Sequence, residues 1–572
     1  MNVKKVLFFC SVAVSFIVLF ASCISRYPPN LEVEIAPAPA PILSFGQLVA
    51  EQILTRIKTW GVGVELRANG ELIYARESVI RFYGRRLYHP AWTNEKGPTR
   101  LAEDLVNALR RADSENLWPK DYHLTAIESL LESIGADIQK GLEMVSERSA
   151  DLDLLLTDAF LVYGSHLLPG RLKPGTLKSE WLLNQRSAIL VSALEGAMAS
   201  NNLAGTLAPP AQPGFLRLRE ALLYYRELAS KGGWPTIPDG PILRRGDRGS
   251  SVAALRERLT LCGDLGGSEF MDAALFDESL EQALKRFQLR HGLTVDGAMG
   301  ASTRAELNVS VERRVEQLEL NLECLRWFPQ DLGRRHIIVN IAAFQLEVVE
   351  DETIELFMRV VVGTTDNTTP VLNDTIRYIV LNPYWEVPHS IAVKEILPQV
   401  KRDPGYLFRE RLRVFKGWGG GEVNPAQVNW SEITPEAFPY RLRQDTGPLN
   451  SLGRVKFVFL NKFNVYLHDT PERYLFEKPR RDFSHGCIRI QKPIDLAVYL
   501  LQEDPSWNRD ALMGALDKAV NRSVPLPEPI PICLVYWTAW ADRDGTIQFR
   551  RDIYGFDAPL LGAIRASPTN KM

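Results

Sequence analysis

The sequence predicts a multidomain α+β protein in which helical domains precede a mainly-β domain. Its 572 residues exceed what one hydrophobic core usually holds, so we expect about three folded units. Apolar residues recur at helical spacing through the first half of the chain, whereas runs rich in β-branched residues begin at Ile337. The 67 basic and 69 acidic residues leave a formal net charge of −2, which is unlike the basic surface of nucleic-acid-binding proteins. We therefore expect no nucleic-acid partner.

Residues 1–23 are expected to be a signal peptide of the lipoprotein type. Lys4-Lys5 precedes an apolar run over residues 6–21, which is short for a transmembrane span of about 20 residues. The run ends at Phe20-Ala-Ser-Cys23, which resembles a bacterial lipobox, the motif whose cysteine becomes the lipidated first residue of the mature protein. The alternatives are ordinary signal cleavage and an uncleaved anchor. We expect Cys23 to carry the lipid and to anchor an exported protein to a membrane.

Residues 24–44 are expected to be a proline-rich linker. The stretch Ala36-Pro-Ala-Pro-Ala-Pro41 favours an extended, semi-rigid chain that has no core of its own. Ile24 follows the lipobox cysteine, and the absence of aspartate at this position resembles the sorting of lipoproteins to the outer membrane. The expected location is therefore the cell envelope, with the protein in the periplasm and attached to the outer membrane.

Residues 45–240 are expected to form a helical domain. Leu101, Leu105 and Leu109 recur at helical spacing and would give one apolar stripe that faces a core. No constellation of residues in this region is suited to catalysis. We therefore interpret its histidines as packing or surface residues.

Residues 241–310 are expected to form a small module of three helices. Arg245-Gly-Asp-Arg-Gly249 predicts a turn, and Asp277 is a candidate N-cap for a helix that carries Leu280, Leu284 and Phe287. The Arg-Gly-Asp turn and the later Gly-Leu-Thr-Val-Asp-Gly297 sequence resemble the peptidoglycan-binding module common in cell-wall enzymes. The module therefore either binds the wall polymer or acts as a structural spacer.

Residues 335–540 are expected to form a sheet-based catalytic domain, with a C-terminal extension over 541–572. Strand-like runs stop between about 391 and 453, where a helix-like segment and three successive glycines, Gly419 to Gly421, follow instead. We interpret this stretch as an insertion that caps the site, with glycines that permit movement. The alternative is a structural excursion that does not move.

The residues that suggest chemistry lie between Tyr466 and Ile490. Cys487 is the candidate nucleophile. A thiol at its ordinary pKa is mostly protonated at neutral pH, so a catalytic cysteine requires a neighbouring base, and His468 and His485 are the candidates. Gly486 precedes the cysteine and leaves its backbone open, as an oxyanion-stabilising turn requires. The alternative is that Cys487 is an ordinary buried thiol.

These residues resemble the signature of the L,D-transpeptidases that cross-link peptidoglycan. His468 is followed by fifteen residues and then by Ser484-His-Gly-Cys-Ile-Arg489. Many members have asparagine two residues after the cysteine, whereas this chain has Arg489. That arginine and the long N-terminal region resemble the large multidomain branch of the family, which has a helical scaffold domain, a peptidoglycan-binding-like module and a capping insertion.

The resemblance implies that Cys487 forms a thioester with a peptidoglycan tetrapeptide stem, with His468 as general base. It implies that the N–H groups of Gly486 and Cys487 stabilise the oxyanion. Independently of the resemblance, His468 is expected at the end of a strand, where a nearby backbone carbonyl such as that of Asp469 would fix its tautomer. The remaining residues are expected to shape the turn or contact substrate: Ser484, His485, Trp385, Arg481 and Arg489. Both arginines could instead be structural.

Peptidoglycan stem peptides are the expected partners, and carbapenems the expected covalent inhibitors. The same nucleophile could also pass the acyl group to water or to a protein lysine. A different class of alternative is a non-catalytic wall-binding lipoprotein. The cysteines and histidines show neither Cys-x-x-Cys nor His-x-x-x-His spacing, so we expect no metal and no other cofactor.

Overall fold

A computed structural model of the protein describes residues 43–59, 65–137, 142–173, 175, 190–266, 272–329 and 331–566. The predicted signal peptide, Cys23 and nearly all of the proline-rich linker lie outside these ranges. The chain from Phe45 onward forms one compact unit. Within the described ranges, no helix combines the length and the apolar character that a membrane crossing requires.

The N-terminal region is helical, as predicted. Its core surrounds one long helix, in which Leu154, Leu155 and Phe160 are fully buried, and the predicted stripe of Leu101, Leu105 and Leu109 packs into the same core. The helices of this region are α1 (Phe45–Thr59), α2 (Arg76–Arg85), α3 (Arg100–Arg110), α4 (Leu124–Asp137), α5 (Leu142–Leu167), α6 (Leu190–Ser200) and α7 (Pro213–Ser230). Two short hairpins join them: β1 (Arg67–Ala68) with β2 (Glu71–Leu72), and β3 (Thr93–Asn94) with β4 (Gly97–Pro98).

The small module contains the three predicted helices, α8 (Ser250–Leu261), α9 (Glu278–Arg290) and α10 (Ala301–Leu307). The Asp277 carboxylate accepts a hydrogen bond from the Leu280 backbone N–H at 2.9 Å, which confirms the predicted N-cap. Leu284 and Phe287 are fully buried in the core of the module. A further helix, α11 (Val311–Trp327), follows the module and leads into the catalytic domain.

The catalytic domain contains one large mixed sheet of nine strands. The strands are β5 (Arg335–Asn340), β6 (Gln345–Glu350), β7 (Thr353–Gly363), β8 (Leu372–Leu381), β13 (Val455–Phe459), β14 (Leu467–His468), β15 (Asp482–Ser484), β16 (Ile488–Ile490) and β17 (Arg522–Val535). Their order in the sheet is β15-β7-β16-β14-β13-β8-β17-β5-β6, and β6 also pairs with β7, so the sheet closes on itself. The helical first half and the β-rich second half of the chain confirm the predicted multidomain α+β class.

The insertion differs from the sequence-based expectation because it contains a sheet of its own. Its strands are β9 (Trp385–Glu386), β10 (Leu412–Lys416), β11 (Glu422–Val423) and β12 (Tyr440–Gln444), in the order β11-β10-β12-β9. The insertion therefore begins at Trp385 rather than near residue 391. Strands of two to five residues that carry several arginines show no β-branched run, which is why the pattern did not reveal them. Its helices are α12, made of the consecutive pieces His389–Ile391, Ala392–Ile396 and Leu397–Arg402, and the short α13 (Tyr406–Arg409).

The C-terminal residues are integrated with the rest of the chain. Helices α14 (Pro493–Leu500) and α15 (Arg509–Asp517) precede β17, and the hairpin β18 (Ala539–Ala541) and β19 (Ile547–Phe549) and the helix α16 (Asp557–Arg565) follow it. Phe549 of the hairpin packs with Phe215 of α7 and Leu322 of α11 in a separate core. Leu560 and Ile564 of α16 pack into the core of the catalytic sheet. The predicted extension is therefore part of the catalytic domain and joins it to the helical region.

Candidate active site

The turn that carries Cys487 joins β15 to β16. The Ser484 hydroxyl donates a hydrogen bond to the Cys487 carbonyl oxygen at 2.5 Å and accepts one from the Gly486 N–H at 3.1 Å. Gly486 has a φ of +106°, a conformation that residues with a side chain rarely adopt. The serine and the glycine therefore define the shape of the turn.

These contacts revise the predicted oxyanion donors. The Gly486 N–H is used inside the turn by the Ser484 hydroxyl, so it is not free for substrate in this arrangement. Among the hydrogen bonds of the described residues, none involves the Cys487 N–H as donor. Of the two predicted donors, the Cys487 N–H is thus the one that remains available. The sequence could not show this, because the Ser484 hydroxyl competes with substrate for the Gly486 N–H only once the turn has folded.

A second layer of contacts supports the turn from behind. Thr369 donates a hydrogen bond through its hydroxyl to the Gly486 carbonyl oxygen at 2.9 Å and accepts one from the Gly363 N–H at 2.9 Å. The Tyr554 hydroxyl donates to the Gly363 carbonyl oxygen at 2.7 Å and accepts from the Thr369 N–H at 3.2 Å. Sequence reasoning missed Thr369 and Tyr554, since neither lies near the motif in the chain.

His468 ends strand β14 on the face opposite to the apolar core. Val465 and Leu467 point into that core, as the predicted alternation requires, whereas Tyr466 and His468 point to the other face. His468 is nevertheless only 4% exposed, and its register partners on the neighbouring strands are Lys456 of β13 and Arg489 of β16. The site is therefore a buried polar cluster and not an open strand end.

The tautomer of His468 is fixed by the backbone. Its Nδ1 lies 2.6 Å from the Asp469 carbonyl oxygen, which can only accept, so Nδ1 carries the hydrogen and Nε2 is left as the basic nitrogen. The Asp469 carboxylate in turn accepts from the Arg454 N–H at 2.8 Å and from the Thr470 N–H at 2.7 Å, which holds this carbonyl in place. Burial, and to a lesser degree the nearby Arg489, lowers the pKa of His468 to about 3. The imidazole is thus neutral at neutral pH and able to accept a proton.

Cys487 is half-buried beside Tyr466. Burial raises the pKa of its thiol above the ordinary value, while hydrogen bonds from the Tyr466 N–H and hydroxyl and the positive charges of Lys456 and Arg489 act in the opposite direction. Lys456 lies over the Tyr466 ring, with Nζ 3.6 Å from the ring centroid. The thiol can donate a weak hydrogen bond to the Asn464 carbonyl oxygen at 3.9 Å, and the charges of Lys456 and Arg489 favour a developing thiolate.

Strand pairing brings this cluster together. Lys456 of β13 lies opposite His468 of β14, and His468 lies beside Arg489 of β16. The rings of Tyr466 and His468 are 5.7 Å apart in an edge-to-face arrangement. Lys456 and Tyr466 are residues that sequence reasoning did not assign to the site. Tyr466 lies inside the motif, so its position two residues before His468 was the available signal.

The two predicted substrate arginines have partners within the protein. Arg481 is 9% exposed, and its guanidinium donates to the carbonyl oxygens of Val360, Lys478 and Phe344 at 3.2, 2.7 and 3.1 Å. Arg489 forms an ion pair with Glu472. The contacts of Arg481 fit the alternative that this arginine is structural. Arg489 lies near the site, but its guanidinium is already paired with Glu472.

His485 contacts the insertion. Its Nε2 pairs with the Glu395 carboxylate, which lies in the π-helical piece Ala392–Ile396 of α12. Short π-helical pieces inside helices are frequent at functional sites. Trp385, a predicted substrate contact, lies in β9 and packs against the core of the insertion. The insertion thus touches the catalytic turn directly through Glu395.

The remaining described cysteines differ from Cys487. Cys324 and Cys533 are buried among apolar residues, and burial raises the pKa of Cys533 to about 12. Cys262 donates a hydrogen bond to the Asp264 carboxylate at 2.9 Å in the small module. Of the four cysteines in the described part of the chain, Cys487 is the one that directly precedes β16, the strand that pairs with His468 of β14. This arrangement supports nucleophilic acyl transfer.

Comparison with known proteins gives three family matches. Residues 334–507 match the L,D-transpeptidase catalytic domain, residues 77–222 match a scaffold domain, and residues 248–307 match a peptidoglycan-binding domain. A curated protein of Haemophilus influenzae that is provisionally named an L,D-transpeptidase is 35% identical over 245 residues. That match covers 43% of this chain and 49% of the relative, so it spans about half of the relative's length.

Two solved structures are among the chains that the comparison matched. An L,D-transpeptidase from Stackebrandtia nassauensis is 14% identical, with a TM-score of 0.20, and the match covers 55% of this chain and 99% of that one. An L,D-transpeptidase from Xylanimonas cellulosilytica is 15% identical, with a TM-score of 0.16, and the match covers 52% and 99%. The assignment rests on the family matches and the geometry of the site. Residues 334–507 belong to the L,D-transpeptidase catalytic-domain family, and the chain combines this domain with a scaffold domain and a peptidoglycan-binding domain.

Proposed function

We propose that this protein forms peptidoglycan cross-links through a thioester on Cys487. The observation that carries the proposal is the neutral His468, whose Nδ1–H is held by the Asp469 carbonyl oxygen so that Nε2 can accept the thiol proton. The proposed donor is a tetrapeptide stem. The proposed acceptor is the side-chain amine of a second stem.

In the first half of the reaction, the Cys487 thiol transfers its proton to His468 Nε2 as the sulfur attacks the carbonyl carbon of the third stem residue. The Cys487 N–H stabilises the oxyanion, and the Tyr466 hydroxyl stabilises the sulfur before the carbon–sulfur bond is complete. The bond to the fourth residue then breaks. The departing D-amino acid takes the proton from His468, and a thioester remains.

In the second half, the acceptor amine attacks the thioester carbonyl and loses a proton to His468. The carbon–sulfur bond breaks, the sulfur takes the proton back, and a new amide links the two stems. One histidine can serve both halves because its lowered pKa keeps it neutral between them.

Other acceptors remain as alternatives for the same acyl-enzyme. Water would make the protein a carboxypeptidase or endopeptidase, and a protein lysine would make it a protein-to-peptidoglycan ligase. The non-catalytic alternative requires a decayed thiol site, and the ordered cluster around Cys487 argues against it.

The proposal is tested by incubating the purified protein with tetrapeptide muropeptides and identifying the products by mass spectrometry. Cross-linked dimers with release of one D-amino acid per bond are expected, together with a covalent adduct when a carbapenem replaces the donor. Tripeptide monomers as the main product would identify a hydrolase. Absence of both product and adduct would favour the non-catalytic wall-binding lipoprotein.

We also propose that the protein acts in the periplasm, anchored to the outer membrane by a lipid on Cys23, with the peptidoglycan-binding domain as a further contact to the wall. The lipobox-like Phe20-Ala-Ser-Cys23 supports the anchor. Metabolic labelling with a fatty-acid probe should tag the wild type and leave Cys23→Ser untagged. Labelling of both proteins, or of neither, would contradict the anchor.

A further inference from the structure

Lys456 is a half-buried cation near the nucleophile, and the proposed acyl transfer assigns it no contact with substrate. It lies opposite His468 in the β13–β14 pair, and its Nζ contacts the face of the Tyr466 ring. The positive charge of Lys456 also acts on Cys487, where it lowers the pKa of the thiol against the effect of burial. Among the hydrogen bonds and ion pairs of the described residues, Lys456 Nζ has neither a carboxylate nor a carbonyl partner.

An ammonium group in such a place is unusual. Removing a charge from water is unfavourable unless an opposite charge or hydrogen-bond acceptors replace the water, and a ring face replaces only part of it. A lysine with its ammonium group in solvent would avoid this desolvation cost. A partly desolvated ammonium without an acceptor is therefore placed to receive a negative group from a bound molecule.

The neighbouring cations are less suited to this role. Arg489 is paired with Glu472, and Arg481 donates to three backbone carbonyl oxygens. Binding a substrate carboxylate at either arginine would break contacts that already exist. Lys456 requires no such exchange.

We propose that Lys456 binds the terminal carboxylate of the donor stem and thereby selects donors that end one residue after the scissile bond. This inference rests on the proposed function. In a tetrapeptide donor, the carboxylate belongs to the leaving residue and is separated from the scissile carbonyl carbon by three covalent bonds. A cation that adjoins the nucleophile can therefore reach it.

The same contact disfavours longer donors. In a longer donor, the fourth residue continues into a fifth through a neutral amide, so no carboxylate stands at this position. The half-buried Lys456 ammonium then keeps its desolvation cost without gaining a counter-charge. Specificity then arises from the cost of leaving Lys456 unpaired as well as from the attraction to the correct group. Lys456 is thus a substrate-binding residue of the donor site.

The test compares two donors that differ only at the end. One is the tetrapeptide stem with a free terminal carboxylate, and the other is the same stem with a terminal carboxamide. Formation of the thioester is followed by mass for the wild type, for Lys456→Met, which keeps an unbranched side chain of similar length, and for Lys456→Arg, which keeps the charge.

The wild type is expected to prefer the carboxylate donor in kcat/KM by about 10- to 100-fold, the range for one hydrogen bond between charged groups. Lys456→Met should reduce this preference to within about threefold, mainly through KM, and Lys456→Arg should retain part of it. A wild type with no preference would overturn the proposal, even if Lys456→Met failed to fold.

Alkylation of Cys487 by neutral iodoacetamide, measured against pH, serves as the control. If Lys456→Met slows both donors equally and shifts this alkylation profile to higher pH, then Lys456 acts on the sulfur and does not bind the carboxylate. Failure of the proposed function would look different, because the wild type would then form no thioester with either donor.

Discussion

The two sides of Cys487 are built differently. On the sheet side, His468, Tyr466 and Lys456 lie on neighbouring strands, and His468 is buried with its ring fixed by a backbone carbonyl. On the insertion side, His485 meets Glu395 through two side chains that are 42% and 52% exposed. Each side carries one histidine, and only His468 is buried and held by a backbone carbonyl.

The difference indicates a division of roles. Groups on packed strands keep one geometry, which proton transfer requires. An exposed ion pair contributes at most about 1 kcal/mol, so it can break and re-form at little cost. The sheet side is therefore suited to chemistry, and the insertion side to admitting and releasing long substrates.

The strongest test of this comparison is Cys487→Ala. Because the proposed nucleophile is the Cys487 thiol and no neighbouring group can replace it, we expect complete loss of cross-linking and of the carbapenem adduct, with the fold retained. Intact-mass measurement after carbapenem treatment checks this. Cys262→Ala is the matched control and should keep the adduct. An adduct on Cys487→Ala would place the nucleophile elsewhere.

His468→Ala should have the next largest effect. Loss of the general base is expected to slow carbapenem acylation by about 10²- to 10⁴-fold. His336→Ala, in β5, is the control and should change the rate little. If the His468 variant kept a near-normal acylation rate and the His485 variant were inactive, His485 and not His468 would be the general base.

The pH dependence of the wild type follows from the same residue. The pKa of His468 is lowered to about 3, so its basic form persists on lowering the pH well below neutrality. Acylation should therefore be nearly constant from about pH 5 to about pH 8 and rise only as the thiol ionises, since burial raises the pKa of Cys487. A fall in rate around pH 6 to 7 would instead indicate a histidine with an ordinary pKa as the base.

Tyr466→Phe should have a smaller effect. The change removes one hydroxyl from the sulfur, and we expect acylation to slow by about 10-fold, with the rise in rate shifted to higher pH. Tyr474→Phe, at a side chain that is 60% exposed, provides the control. An unchanged pH profile would show that the hydroxyl does not stabilise the thiolate.

Glu395→Gln and His485→Ala should have the smallest effects on chemistry. Because the pair is exposed, we expect carbapenem acylation to stay within about threefold of the wild type in either variant. Cross-linking with a full stem acceptor should change more than acylation if the insertion caps the site. Equal changes in both reactions would indicate that the insertion acts on the turn itself. If neither acylation nor cross-linking changed, the insertion would be a structural excursion that does not act on the site.

The sequence by itself determined the fold class, the catalytic family and the residue types of the site. A thiol, two histidines and a glycine lie within twenty residues of each other, and their chemistry restricts the alternatives before any folding is considered. Helical and strand periods distinguish the two halves of the chain, because burial of one face imposes a spacing on local sequence. These are local signals.

Other features were decided by tertiary structure alone. Lys456 reaches the site through strand pairing, and Tyr554 supports the turn through Gly363, 191 positions away in the chain. The Gly486 N–H is taken by Ser484, and Arg481 by backbone carbonyls, although the residue types alone allowed catalytic or binding roles. The physical reason is that a donor or a charge acts on whatever the fold places next to it, and strand register over long separations is set by the packing of the whole sheet.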